Sequence, residues 1–389
     1  MPAIRKRSWT TPKGEDKTAW LVDYKDSAGK RRAKQFARKK EAEAWLVQTA
    51  HDVSRGVHTA DSQSVTVKKG VELWLAAREA DNRESTTIRG YESTARLHIT
   101  PFIGNVKLSR LTKPDIERFK KDLINSGRSQ ARVGRTLSFL SMMLDEAESQ
   151  GLVAQNVASK VRVVRSSRDA TDVVIPTPDE LKAMLEHSSD ELRPLVMTAM
   201  LAALRASELR GLMWKDVDFE AGTISIQRRA DEKCKLGPPK SKAGRRTIPM
   251  SKRLALELKA WKLRCPPTLL DLVFPSTDGK IWTYANLMNR HFWPMQVAAK
   301  VADPKVSEED GLPIWDEEGK EVLEARYSLH ALRHAAASLW IKEKIDLKRL
   351  KTWMGHASVQ TTIDTYGHLM FDDKADAELI EGADKRLFG

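Results

Sequence analysis

The chain has 389 residues, 41% of them hydrophobic and 31% charged, enough for two or three globular domains. No apolar run approaches the roughly 20 residues of a bilayer-spanning helix. The basic start MPAIRKRSWT has no apolar stretch behind it, and Cys234 and Cys265 sit apart, outside any CxxC or CxxH spacing. These features argue against a membrane span, a secretory leader, a disulfide framework and a cysteine-built zinc site, and predict a cytoplasmic protein.

The net charge of +13 is unevenly spread. Residues 1–60 carry 14 Lys and Arg against 7 Asp and Glu, residues 61–169 carry 19 against 13, and residues 170–389 carry 33 against 33. All the excess lies in the first 169 residues, which points to a polyanion partner, most simply nucleic acid. The alternative is a solvated basic surface.

In chain order, AWLVDYKD alternates Trp20, Val22 and Tyr24 as a half-buried strand does. DSAGK is a turn and KRRAKQF a returning strand; KKEAEAWLVQTA then places Ala42, Trp45, Leu46 and Thr49 at helical spacing. The strand-plus-helix unit over 1–60 concentrates Lys30, Arg31, Arg32 and Lys34 on its second strand, and a short sheet can lie in the DNA major groove. Residues 65–165 read as a helical bundle. The expected helical faces are Val67, Val71, Trp74 and Leu75; then Ile116, Phe119 and Leu123 in a segment that opens with Thr112; then Val133, Leu137, Leu140 and Leu144. PFIGN reads as a break, and Arg128, Arg132 and Arg135 occupy the polar side, available to DNA. SKVRVVRSSRDATDVV is a basic linker without periodicity.

A third, mixed helix-and-strand unit is expected over 172–389. It opens at PTPDEL, with Thr177 as N-cap, Pro178 first in the helix and Glu180 closing a capping box. LRPLVMTAMLAAL is a buried helix. GTISIQ and RRTIPM are strands joined by a loop whose tip carries Lys240 or Lys242. Residues 303–324, with 9 acidic side chains against 2 lysines, read as a surface insertion. No internal repeat is evident.

The segment HALRHAAASLWI puts His330, Arg333 and His334 together at the start of an apolar helix. The spacing of His330 and His334 suits two zinc ligands, but a hydrolytic zinc helix has Glu after the first His, where this chain has Ala331. Arg333 between them would repel a cation, whereas guanidinium suits bidentate phosphate binding. Arg205 in ALRASEL has Glu208 three residues on, able to hold it in place. His356 lies at the helix break in MGHAS, and Tyr366 sits among polar residues in IDTYGH. Taken singly these are an ion pair, a solvated loop and a surface tyrosine.

Taken together and in this order, ALRASEL, HALRH and MGHASVQTTIDTYGH resemble the three signature boxes of the tyrosine recombinases, the integrases of phages and integrative elements. The resemblance is strong over 172–370, looser over 65–165 and weakest over 1–60. It implies a multidomain, mainly α fold: a small N-terminal sheet plus helix (1–60) binding arm-type sites, a helical core-site-binding bundle (65–165), and a mixed α+β catalytic domain with a C-terminal tail (172–389). It implies a site-specific DNA recombinase that integrates and excises a mobile element through a 3′-phosphotyrosyl intermediate, with no metal and no cofactor. The implied catalytic residues are Arg205, Lys240, His330, Arg333, His356 and Tyr366, supported by Glu208. Tyr366 would be the nucleophile, His330 its base, His356 a donor to the phosphate and the lysine the acid for the leaving oxygen. The family's Lys–Thr pair reads Lys240–Ser241 here, with Lys242 close by, so the lysine is ambiguous. The implied partners are double-stranded DNA attachment sites, further copies of the chain in a homo-tetramer, an excisionase and a host DNA-bending protein, in the bacterial nucleoid. The tail face Ala375, Leu379, Ile380 and Ala383 would dock on a neighbouring protomer. A type IB topoisomerase, an inactive DNA-binding accessory protein and a metal-dependent nuclease are the other readings. The last lacks an acidic cluster at ligand spacing.

Overall fold

The computed structural model describes residues 3–12, 14–26, 29–54, 64–81, 84–163, 174–307, 311–369 and 373–388. Most of the basic linker, 164–173, lies outside them. The chain divides into two compact units, Met1–Ala170 and Thr171–Gly389.

The first unit begins with a three-stranded antiparallel sheet in chain order: Ala3–Thr10, Asp16–Lys25 and Arg31–Phe36. The helix Lys39–Ser54 follows. The second and third strands and the helix match the sequence expectation. The first strand is additional. AIRKRSWT has no alternation to reveal it, because it is an outer strand held by backbone pairing, in register from Ala3 opposite Asp23 to Thr10 opposite Asp16. Val22, Tyr24 and Ala42 are buried between sheet and helix, and Trp45 meets the rings of Tyr24 and Phe36 at 5.1 and 5.4 Å.

A helical bundle completes this unit, with helices Val67–Ala80, Ser85–Thr94, Lys113–Asn125 and Gln130–Ser149. Thr112 and Asp115 form a reciprocal capping box at the third. The apolar faces read from the sequence form its core, including Val71, Phe119, Leu123, Leu140 and Leu144. The break expected at PFIGN falls late in that segment, after Ile103, rather than at Pro101. The helix Ser85–Thr94 continues through a π turn at Ala95–Ile99 into Thr100–Ile103. The Thr100 N–H reaches back five residues to the Ala95 carbonyl, and this wider turn accommodates Pro101, whose ring and missing N–H disfavour the ordinary α ladder. The same device recurs at Met288–Phe292, just before Pro294.

The second unit starts with the predicted capping box: Thr177 Oγ1 accepts from the Glu180 N–H at 3.2 Å, and the Thr177 N–H donates to Glu180 Oε2 at 2.8 Å. The helix Arg193–Ala202 is buried on nearly every side and forms the centre of the core. The helix Leu329–Lys342 packs along it. Strands Thr223–Ile226 and Arg246–Pro249 pair antiparallel, with Val217–Asp218 on the other edge. The connection between the paired strands contains a small hairpin, Arg229–Ala230 with Leu236–Gly237. The two ends of the acidic segment form a ribbon: Ala302–Pro304 pairs with Leu323–Ala325, and Arg326 pairs with Asp303 and Glu180. Its Trp315 is 62% exposed. A C-terminal helix spans Asp373–Phe388; Ile380 on it is exposed, whereas the side chains of Ala375, Leu379 and Ala383 lie outside the described residues.

Candidate active site

The last turn of a helix leaves carbonyls without intrahelical partners. The helix Leu347–Met354 ends at Gly355, which takes the left-handed conformation at φ +63°. Three consecutive carbonyls there are capped by three arginines from three separate elements. Trp353 accepts from Arg246 Nε at 2.6 Å, Met354 from Arg333, and Gly355 from Arg205 at 3.0 Å. Arg333 also donates to the Ala203 carbonyl at 2.5 Å, where a second helix ends in the left-handed conformation, φ +52°. A Cβ on Gly355 would stand 3.0 Å from both the Ala243 carbonyl oxygen and the Arg246 guanidinium.

One carboxylate sits among these arginines. Glu208, 2% exposed, accepts from Arg205 at 2.8 Å and from both terminal nitrogens of Arg246 at 3.0 and 2.8 Å. Its second role is a cap, taking the Arg205 backbone N–H at 2.9 Å. Burial opposes its charge, but the hydrogen bonds and charge of Arg246, with Arg205 behind them, hold its carboxyl down at about 2. Arg205 and Arg246 are paired with this one carboxylate, while Arg333 is held by the Ala203 and Met354 carbonyls, so the three guanidinium groups leave two positive charges uncompensated. Arg333 is 1% exposed, and burial, then the charge of Arg205, push it down to about 9. Arg205 keeps about a third of its side chain in solvent.

Tyr366 ends the helix Val359–Tyr366 and lies against this centre, 1% exposed. Its hydroxyl is 2.7 Å from His334 Nδ1. Burial pushes the hydroxyl up to about 12, against the pull of Arg333 and Arg205. Burial, then the neighbouring charges of His330 and Arg333, push His334 down to about 4. The His330 and His334 rings are perpendicular with centroids 4.6 Å apart, and burial followed by Arg333 and Arg205 lowers His330 as well. His356 shares a hydrogen bond with the buried Thr362 at 2.9 Å and lies parallel to the Tyr366 ring. Burial, then Arg333 and Arg205, push it down to about 4. All three imidazoles are thus neutral near pH 7.

Arg205, Glu208, His330, Arg333, His356 and Tyr366 are gathered in this one centre. Lys240 is exposed in the connection after the small hairpin, and Lys242 opens a short 3-10 turn behind it. The hairpin's own turn lies earlier, at Asp231–Lys235, so neither lysine stands at its tip. Two members of the centre escaped the sequence reading. Arg246 looked like one more charge in GRRTIPM, although its spacing of two from Ile248 on a strand puts both on the buried face. His334 was weighed only as a metal ligand. Among the described residues, no group of three or more His, Cys, Asp or Glu is arranged to hold a metal ion.

The basic residues named for DNA are placed unequally. On the third strand, Arg31 is exposed on the face away from the helix, and Lys30 precedes it in the exposed turn. Arg32 lies opposite Tyr24 and Lys34 opposite Val22, on the helix side. Arg32 pairs with buried Asp26 at 2.9 Å, and Lys34 lies 4.8 Å above the Trp45 ring. The outer face instead gains Arg5 and Arg7 from the first strand. Arg128, Arg132 and Arg135 are exposed around the start of the helix Gln130–Ser149.

Comparison with known proteins identifies the family and the fold. Residues 176–372 match the phage integrase family, and residues 66–124 match the N-terminal SAM-like domain of phage integrases. The ICEBs1 integrase of Bacillus subtilis is 25% identical over 79% of this chain and 80% of its own. A XerC-like tyrosine recombinase of Caldanaerobacter subterraneus is 24% identical over 91% of this chain and 92% of its own. Among solved structures, the Tn1549 transposon integrase bound to circular intermediate DNA superposes with a TM-score of 0.64 at 20% identity, over 82% of this chain and 99% of that one. A lambda integrase dimer bound to a core site gives 0.56 at 19% identity, over 94% and 95%. The model match alone spans more than half of the sequence, and the chain belongs to the phage integrase family of tyrosine recombinases.

Proposed function

We propose that the arginine centre binds one DNA phosphodiester and that Tyr366 attacks it, so that this site-specific recombinase cuts and rejoins attachment-site DNA to integrate and excise a mobile element. The observation that carries this reading is the charge balance: three guanidinium groups around one carboxylate, beside a tyrosine hydroxyl. A phosphate restores neutrality, and guanidinium groups meet its oxygens in the geometry they favour.

The reaction is a transesterification. The Tyr366 oxygen bonds to phosphorus, the bond to the 5′ oxygen breaks, and a 3′-phosphotyrosyl link and a 5′-hydroxyl result. One phosphoester replaces another, so no nucleotide cofactor is consumed. Charge that accumulates on the non-bridging oxygens is met by fixed cations, which need no reorganisation as the reaction proceeds. Arg205, partly exposed, makes the direct contact, while buried Arg333 supplies its charge from below. Arg246 and Glu208 position Arg205 and the Gly355 turn. His330 and His356 flank the phosphate, and Lys240 or Lys242 protonates the leaving oxygen.

The wider assembly follows from the charge distribution. Residues 1–60 and 65–165 are two DNA-binding domains, for arm-type and core sites, and 172–389 is the catalytic domain. Lambda integrase has been solved as a dimer on a core site and as a tetramer on a Holliday junction. By analogy this chain works as a homo-tetramer on paired duplexes, helped by an excisionase and a host DNA-bending protein.

The test is covalent trapping. The full chain is incubated in EDTA with a nicked duplex carrying the junction sequence of the element that encodes it. A protein–DNA adduct on a denaturing gel is expected, and Tyr366→Phe should bind the duplex yet form none. An adduct from Tyr366→Phe, or cleavage that requires added zinc or magnesium, contradicts the reading.

A further inference from the structure

We infer that His334, rather than His330, takes the proton from Tyr366 as its oxygen attacks phosphorus. The inference rests on the recombinase reading and deepens it. The Tyr366 hydroxyl and His334 Nδ1 are 2.7 Å apart, and the rings are 5.5 Å apart. With the ring proton on Nε2, Nδ1 accepts from the phenolic O–H. His330, one helical turn earlier, stands with its ring perpendicular to that of His334 and lies in the field of Arg333 and Arg205. The charged and titratable neighbours of His334 are His330 and Arg333 from its own helix, and Tyr366 and His356 from the C-terminal segment.

The electrostatics suit this pairing. Burial favours the neutral phenol at Tyr366 and the neutral imidazole at His334, the forms in which the hydroxyl donates and Nδ1 accepts. An arriving phosphate offsets the charge of Arg333 and makes a proton on His334 less costly. The O–H bond of Tyr366 breaks as an N–H bond forms on His334. The new O–P bond forms as the P–O5′ bond breaks, and the 5′ oxygen takes its proton from the lysine. During rejoining the 5′-hydroxyl gives its proton back to the lysine as its oxygen bonds to phosphorus, and the imidazolium returns its proton to the phenolic oxygen as the phosphotyrosyl bond breaks.

The test is single-turnover cleavage of the nicked junction duplex by the full chain and three variants, His334→Ala, His334→Asn and His330→Ala. His334→Ala should bind DNA as the parent does but cleave about 10²- to 10⁴-fold more slowly, the range for loss of a general base. Its rate should keep rising with pH where the parent levels off, and added imidazole should restore it at least in part. His334→Asn should be as slow, because an amide oxygen accepts the hydrogen bond but not the proton. If the alanine variant fails to bind DNA, the asparagine variant carries the test. Parent-like cleavage by His334→Ala, restored cleavage in His334→Asn, or imidazole rescue confined to His330→Ala overturns the inference. A parent that forms no Tyr366 adduct overturns the recombinase reading itself and the inference with it.

Discussion

Glu208 shows how much a single residue can hold. It orders Arg205 and Arg246 while accepting a backbone N–H. Its folded pKa of about 2 lies below the ordinary 4.5, so its contribution is present above pH 4.5 and is lost as pH falls from there toward 2. That shift corresponds to about 3 kcal/mol. Glu208→Gln should therefore lower the urea midpoint of the full chain at pH 7, and the gap to the parent should narrow as pH falls below 4.5. An equal gap at pH 7 and pH 3 would show that the carboxylate charge is not what matters. At Gly355, a methyl group meets strain at φ +63° and two atoms at 3.0 Å. Gly355→Ala should cost about 1–2 kcal/mol and slow cleavage, because the turn sets the carbonyls that hold the arginines. Unchanged stability and rate would remove Gly355 from the account. The motif boxes made Arg205, His330, Arg333, His356 and Tyr366 legible in sequence, because their order and spacing are distinctive together. Arg246 and His334 owe their places to contacts across 38 and 32 residues. No local spacing states those contacts.

Element by element, the predictable features were those with a local cause. The capping box at Thr177, the helix start at Thr112 and the apolar faces of the bundle helices follow from side chains within a few positions of one another. The π turns before Pro101 and Pro294 did not, since one extra residue in a turn leaves a pattern resembling a break. The N-terminal strand was missed for the opposite reason: backbone pairing needs no apolar pattern. That strand alters the outer side of the sheet, the face proposed to meet DNA. Consecutive basic residues on a strand point to opposite faces, so Arg31 and Lys34 should behave differently. Arg31→Ala or Arg7→Ala should lower the salt slope of arm-site binding by about one unit. Lys34→Ala should leave the slope unchanged and destabilise the sheet through lost contact with Trp45. Equal slopes for all three variants would contradict the assignment of faces. The lysine of the connection is separable by chemistry. A 5′-bridging phosphorothioate has a leaving group that needs no proton, so it should rescue Lys240→Ala but not Arg205→Ala. Rescue of Lys242→Ala instead reassigns the acid.

Across the whole molecule, charge and chemistry are divided. The excess of basic residues lies in the first 169 positions, and the remainder is balanced overall while concentrating its own positive charge at one buried centre. Removing residues 1–60 should abolish shifts on arm-type duplexes while leaving cleavage of a short core duplex intact. Full-length shifts on every junction fragment would contradict a two-site protein. The central claim, that the arginine centre activates a phosphodiester toward Tyr366 without a metal, is tested most directly by mapping the trapped adduct. The chain is reacted with the nicked junction duplex in EDTA, digested, and the nucleotide-bearing peptide is sequenced by mass spectrometry. The account predicts a 3′-phosphonucleotide on the Tyr366 oxygen; a nucleotide on any other residue, or an adduct that forms only when a divalent metal is restored, would contradict it.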